Sequence, residues 1–247
     1  MKLTFLLLAC AAVLSAQTPA AEPTELSKLK TTVDRQERTL KDWPNLNRYR
    51  AENATVVAPV AGEERVVFMG DSITDGWGRR YGKFFPGKPY INRGISGQTT
   101  PQMLLRFRAD VIELHPKVVV ILAGTNDISG NTGPMTLKET EANLMSMAEL
   151  ARANGIRVVL SALLPTCDYI RPQTDRRPNE KIRELNIWMR GYAAGTGAVF
   201  LDYFTPSLDD KQVLKKELTY DGLHPNEAGY EVMGPLAQKA IDVALAK

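Results

Sequence analysis

From residue 66 onward the chain alternates short, mostly apolar runs with longer segments whose apolar residues recur every three or four positions. The runs lie at 66–69, 89–92, 118–122, 157–160 and 199–202, and the first opens Val66-Val67-Phe68. β-branched runs of this length, bounded by Gly, Pro and Asn, predict strands covered on both faces. Residues 100–113, 137–154, 179–194 and 226–245 predict helices. In the second of these, Leu144, Met147, Ala148 and Ala151 fall at i, i+3, i+4 and i+7, the stripe of a helix with one buried face. Such alternation predicts an α/β fold, a parallel sheet between two helical layers, with right-handed crossovers. Residues Ser72, Gly97, Asn126 and the loop from Ser161 each follow a strand directly, so the sheet presents them along one edge.

The first 62 residues read differently. Residues 1–16, a Lys2 tip and an apolar core ending in Ser15-Ala16, predict a secretory signal peptide, too short in its apolar run to span a bilayer. The mature protein is then expected to be extracytoplasmic, periplasmic or secreted. Leu7-Leu8-Ala9-Cys10 offers the rival reading of a lipid anchor through Cys10. Residues 17–62 form a Pro/Ala-rich tether and an arm, with a surface helix at 24–40 and Trp43 and Tyr49 as anchors; no chemistry is assigned to them. Residues 63–247 form the main domain.

Composition narrows the partners. An apolar fraction of 44%, a charged fraction of 24% and a net charge of +3 in 247 residues describe an ordinary globular chain and give no case for nucleic acid or acidic membranes. Cleavage after Ala16 leaves Cys167 as the one cysteine, so the core holds without a disulfide. No acidic or Cys/His group has metal-ligand spacing, and no glycine-rich phosphate cradle follows a strand, so neither a metal nor a cofactor is expected.

The candidate chemistry lies in four segments: Met69-Gly70-Asp71-Ser72-Ile73-Thr74, Gly94-Ile95-Ser96-Gly97, Gly124-Thr125-Asn126-Asp127 and Asp221-Gly222-Leu223-His224-Pro225. A serine after a strand is by itself a common helix cap. The four segments together, in this order, resemble the SGNH hydrolases, also called the GDSL esterase and lipase superfamily, over about residues 66–225. The resemblance implies a three-layer α/β/α sandwich on a flavodoxin-like parallel sheet. Gly-x-Ser-x-Gly, the sharp elbow of α/β-hydrolases, is absent, which argues for the softer nucleophile turn of this family.

A serine hydroxyl attacks an ester only when a neighbouring base takes its proton. Of two histidines, His115 lies in a Leu-His-Pro turn and reads as structural, whereas His224 is placed to serve Ser72. Asp221, three residues before it, can fold back to orient the ring. The resemblance implies oxyanion donors from the backbone N–H of Ser72, the backbone N–H of Gly97 and the side-chain amide of Asn126. Asp71 and Thr74 are read as holding the nucleophile loop, Gly94 as a turn residue, and Asp75, Asp127 and Asp202 are left without a role.

The loops after Ser72 and Leu164 are polar, aromatic and cationic, and no extended apolar lid is visible. Trp77, Tyr169 and Arg171 are the candidate substrate contacts. The implied reaction is hydrolysis of a short-acyl ester, with a carbohydrate O-acetyl ester as the favoured substrate. The family also holds lysophospholipases and thioesterases. A non-catalytic glycan-binding use of the fold is disfavoured by the filled catalytic positions, and a flavodoxin-like cofactor binder by the missing phosphate loop.

Overall fold

The computed structural model describes residues 24–247; the leader expected at 1–16, with Cys10, lies outside the described residues. The chain divides between Lys41 and Asp42 into two units. In the first, α1 (Glu25–Lys41) carries Leu26, Leu29, Val33 and Leu40 exposed. The second contains the sheet and every candidate residue. Among the described residues no helix is long and apolar enough to cross a membrane.

Five parallel strands form one sheet in the order β2-β1-β3-β4-β5: β1 (Val66–Gly70), β2 (Tyr90–Gly94), β3 (Val118–Leu122), β4 (Arg157–Ser161) and β5 (Val199–Leu201). All residues of β1 and β3 are buried, which is why they read as unbroken apolar runs. Gly70 pairs with Gly94 on one side and Leu122 on the other, so the three strands end level. The chain leaves β1 toward β2 and then crosses back to β3. That reversal creates a crevice beyond the carboxyl ends of β1 and β3.

The remaining helices are α2 (Arg50–Thr55), α3 (Ser72–Gly76), α4 (Thr100–Asp110), α5 (Thr125–Ile128), α6 (Leu137–Ala153), α7 (Asn179–Thr196) and α8 (Glu227–Leu245). Right-handed crossovers put α4, α6 and α7 side by side on one face, while α8 covers β3, β4 and β5 from the other. Thr136 and Glu139 close a capping box at the start of α6, and the Asn226 side chain accepts from Gly229 N at 3.1 Å to cap α8. The helix predicted to reach residue 113 stops at Asp110. A 3₁₀ turn at Ile112–Leu114 follows, and His115 is left-handed at φ 51°, turning the chain into β3 ahead of Pro116. His115 therefore serves as a turn residue.

Residues 42–55 pack against the sheet domain. Tyr49 is fully buried and its hydroxyl donates to Gly94 O; Asn53 Nδ2 donates to Asp110 Oδ1 at 2.7 Å. Gln98 and Gln102 donate to Pro44 O and Trp43 O, each at 2.7 Å. Beneath this strap Arg106, completely buried, donates to Gly70 O (3.1 Å), Arg93 O (2.9 Å), Gln98 Oε1 (2.6 Å) and Asp110 Oδ2 (3.0 Å). One side chain thus ties the ends of β1 and β2 to α4. A buried charge is tolerated only when its donors are satisfied in this way.

Candidate active site

β1 ends at Gly70, and Asp71 opens the next turn by accepting the Ile73 N–H at 2.9 Å, the N-cap of α3. The first residue of α3 is Ser72. Position N1 of a helix has no intrahelical partner for its N–H, and among the described residues the Ser72 N–H has none. Gly94 must be glycine, because a Cβ there would fall on the backbone of Thr74 and Asp75. The strand pair can therefore close against the turn that carries Ser72.

The Ser72 hydroxyl oxygen lies 2.9 Å from His224 Nε2, although 152 residues separate them. His224 Nδ1 is 2.7 Å from Asp221 Oδ2, and the backbone N–H groups of Leu223 (3.0 Å) and His224 (2.8 Å) donate to Asp221 Oδ1. The loop is braced by Thr219, whose hydroxyl accepts from Gly222 N at 2.9 Å and donates to His224 O at 2.8 Å. Burial pushes the Asp221 carboxyl up, but the hydrogen bonds from the His224 ring and N–H outweigh it and hold it at about 2. An ionised carboxylate accepts only, so Nδ1 carries the ring hydrogen and Nε2 presents its lone pair to Ser72. Such a chain can draw a proton from a hydroxyl as it attacks.

Gly97 takes φ 80°, a left-handed conformation that a glycine adopts without strain, and its N–H has no partner among the described residues. Asn126, second residue of α5, is buried, with Nδ2 3.0 Å from Gln98 O and 3.5 Å from Asp71 Oδ2. Its Oδ1 accepts from Asn131 Nδ2 at 3.0 Å, and Asn131 Nδ2 also reaches Gly97 O at 3.1 Å. Asn131 thus links the two loops. Sequence reasoning missed it, and its only signal was a place in the Gly-containing turn five residues past Asn126.

A cavity of about 610 Å³ opens over these groups, lined by Ser72, Gly97, Asn126 and His224 together. Leu223 is the one aliphatic side chain among its described lining residues. The three candidate substrate contacts lie elsewhere. Trp77 is five residues past Ser72, at the C-cap of α3, where the backbone is already extended. It points inward against Phe68, Phe84, Phe85 and Tyr230, 3% exposed. The Tyr169 hydroxyl is turned outward to Asp209 Oδ2 at 2.6 Å, and neither Tyr169 nor Arg171 lines the cavity. The segment that carries them backs the Asp221–His224 loop instead: Cys167 N donates to Gly222 O at 2.9 Å and Gln173 Nε2 to Asp221 O at 3.2 Å. Its Arg177 does reach the cavity, as does Arg48 from the arm to which no chemistry was assigned.

The unplaced aspartates find structural work. Asp127 accepts from Thr100 N at 3.0 Å and from the Thr100 hydroxyl, holding the start of α4. Asp75 binds Arg79 and the Ser96 hydroxyl, each at 2.6 Å, and Asp202 accepts from Phe204 N and Thr205 N. Among the described residues no group of His, Cys, Asp and Glu is placed to hold a metal ion.

Residues 68–232 match the model of the GDSL-like lipase/acylhydrolase family. A crystal structure of a GDSL-like lipase from Bacteroides thetaiotaomicron VPI-5482 is 45% identical, covers 81% of this chain and 98% of that one, and superposes with a TM-score of 0.75. Acetylxylan esterase of Geobacillus stearothermophilus is 25% identical over 203 residues, 70% of this chain and 92% of that protein. An uncharacterized lipoprotein of Bacillus subtilis, YqeF, is 33% identical over 121 residues, 42% of this chain, and the match spans 50% of its length.

Proposed function

Because the chain belongs to the GDSL-like lipase/acylhydrolase family and is a carboxylic ester hydrolase, we propose that it removes short acyl groups from carbohydrate esters outside the cytoplasm. Ser72 attacks the acyl carbon while His224 Nε2 takes its proton; Asp221 fixes the ring and balances the imidazolium that forms. His224 then returns the proton to the departing alcohol, and water repeats the cycle on the acyl-serine. The oxyanion is met by the N–H groups of Ser72 and Gly97 and by Asn126 Nδ2. Of the two Asn126 N–H bonds, the one toward Asp71 is at the limit of hydrogen-bonding distance. That hydrogen is the one free to turn toward developing charge.

The observation that carries this reading is the 2.9 Å approach of Ser72 to His224 inside a cavity with a single aliphatic lining residue. An acetyl group fits such a site, whereas a long acyl chain would share it with four arginines and find one aliphatic side chain, Leu223, to lie against. The similarity to an acetylxylan esterase supports the carbohydrate side of the proposal, and the lipoprotein relative agrees with a place outside the cytoplasm. Hydrolysis of p-nitrophenyl acetate is expected to outpace that of the decanoate. Faster turnover of the decanoate would favour the lysophospholipase or thioesterase reading. Ser72→Ala should lower kcat by at least roughly 10³-fold, and unchanged hydrolysis would remove Ser72 as the nucleophile.

A further inference from the structure

The cavity wall carries more positive charge than this chemistry uses. Arg48, Arg79, Arg80 and Arg177 line it, with Asp75 the one lining carboxylate. Asp75 is already engaged by Arg79 at 2.6 Å, and Arg48 reaches Glu52 at 3.7 Å. Among the described residues Arg80 and Arg177 have no carboxylate within ion-pair distance.

Each of these two guanidinium groups is held at the reactive centre. Arg80 NH1 donates to the Tyr220 hydroxyl at 2.6 Å, and the Tyr220 ring stacks on the His224 imidazole, centroids 5.6 Å apart and planes 10° from parallel. Arg177, 6% exposed, contacts Asn126 Oδ1 at 3.4 Å and Gln173 Oε1 at 3.3 Å, while its buried Nε has no partner. Burial, and then Arg176 beside it, outweigh the pull of Asp71 and Asp221 and lower the Arg177 pKa. A largely buried guanidinium that lines the cavity with no carboxylate within ion-pair distance is stabilised by an anion that enters beside it. Arginine is also the side chain that suits a planar carboxylate best.

The departing alcohol must come to His224 Nε2 to receive its proton, which brings the alcohol half of the ester beside the Tyr220–Arg80 pair. We infer that this alcohol half carries an anionic group, the carboxylate of an acidic sugar, recognised by the cationic wall that Arg80 and Arg177 form. The inference rests on the ester-hydrolase reading of the site and adds the charge of its substrate.

Three acetyl esters test it against phenyl acetate as the control: an O-acetylated methyl glucuronide, the matching neutral O-acetylated methyl glucoside, and 1-acetylglycerol 3-phosphate. At low salt kcat/KM for the glucuronide should exceed that for the glucoside by about 10-fold or more. The advantage should shrink at about 0.5 M NaCl. Arg80→Gln and Arg177→Gln should each bring the ratio down toward one. If the glycerol phosphate ester outruns the glucuronide and both outrun the glucoside, the anionic subsite stands and its ligand is a phosphate. Hydrolysis of phenyl acetate with the glucoside equal to or faster than both anionic esters overturns this inference alone. No turnover of any of the four overturns the ester-hydrolase reading and the inference with it.

Discussion

Two aspartates stand near the reactive pair, and their surroundings drive them in opposite directions. Asp221 receives the His224 ring and two backbone N–H groups and stays ionised; Asp71, completely buried, is pushed up to about 6, first by burial and against the bond from Ile73 N. The consequence for catalysis belongs to Asp221. Asp221→Asn keeps the shape but can bind the wrong tautomer of His224, so kcat should fall about 10³- to 10⁴-fold. A loss under tenfold in steady-state assays would leave Asp221 with a structural part only. Asn131 acts at one remove, because its amide holds both Gly97 O and Asn126 Oδ1. Asn131→Ala should lower kcat by about 10- to 100-fold with KM little changed. Partial rescue by Asn131→Gln would separate positioning from simple loss of fold. Trp77 teaches the opposite lesson: an aromatic residue close to Ser72 in sequence is core when the chain leaving α3 turns it inward.

Among the elements, the level ends of β1, β2 and β3 matter most, since they set Ser72, Gly97 and Asn126 at one height. Arg106 holds two of those ends through Gly70 O and Arg93 O, with Asp110 as its counter-charge. Removing it takes the counter-charge from the buried Asp110 carboxylate, which keeps the bond from Asn53 Nδ2, and leaves Gly70 O with the Ile95 N–H at 3.0 Å but without the guanidinium. Arg106→Ala should therefore cost about 3–5 kcal/mol of unfolding free energy, measured by urea titration. A cost below about 1 kcal/mol would show that water fills the gap without penalty. The strap at residues 42–55 belongs to the same construction. It delivers Arg48 to the cavity while the Tyr49 ring packs under the guanidinium groups of Arg48 and Arg93, 4.7 and 4.6 Å from its centroid.

For the molecule as a whole, the buried charge of Asp71 sets a pH dependence of stability. The folded state keeps the Asp71 proton up to about 6, whereas the unfolded chain releases it near the ordinary value of 3.8. Between these values the native state binds more protons, so stability falls as pH rises through about 4 to 6. By pH 7 the loss from this group is on the order of 3 kcal/mol. Asp71→Asn lacks this dependence, so its stability relative to the parent chain should rise over that window. A difference independent of pH would show that Asp71 binds its proton equally in the folded and unfolded chain. The central strands β1, β3 and β4 were legible because they are short, β-branched and buried, and α6 because seventeen residues are enough to repeat a stripe. By contrast α3 and α5, of five and four residues, are too brief to show a period. That Ser72, His224 and Asp221 come together was legible because ester hydrolysis calls for a nucleophile, a base and an orienter, and few candidates for each sit at strand ends or beside the lone suitable histidine. What Asn131, Arg48 and Arg177 touch was not, since each acts across gaps in sequence that only folding closes. By itself, then, the order of residues determined the sheet, the layers and which residues are candidates for the chemistry, because period and side-chain chemistry are local properties. Which aromatic ring faces inward, which arginines face the cavity and which amide braces Gly97 were decided by the tertiary structure, because direction and distance arise only once the elements pack.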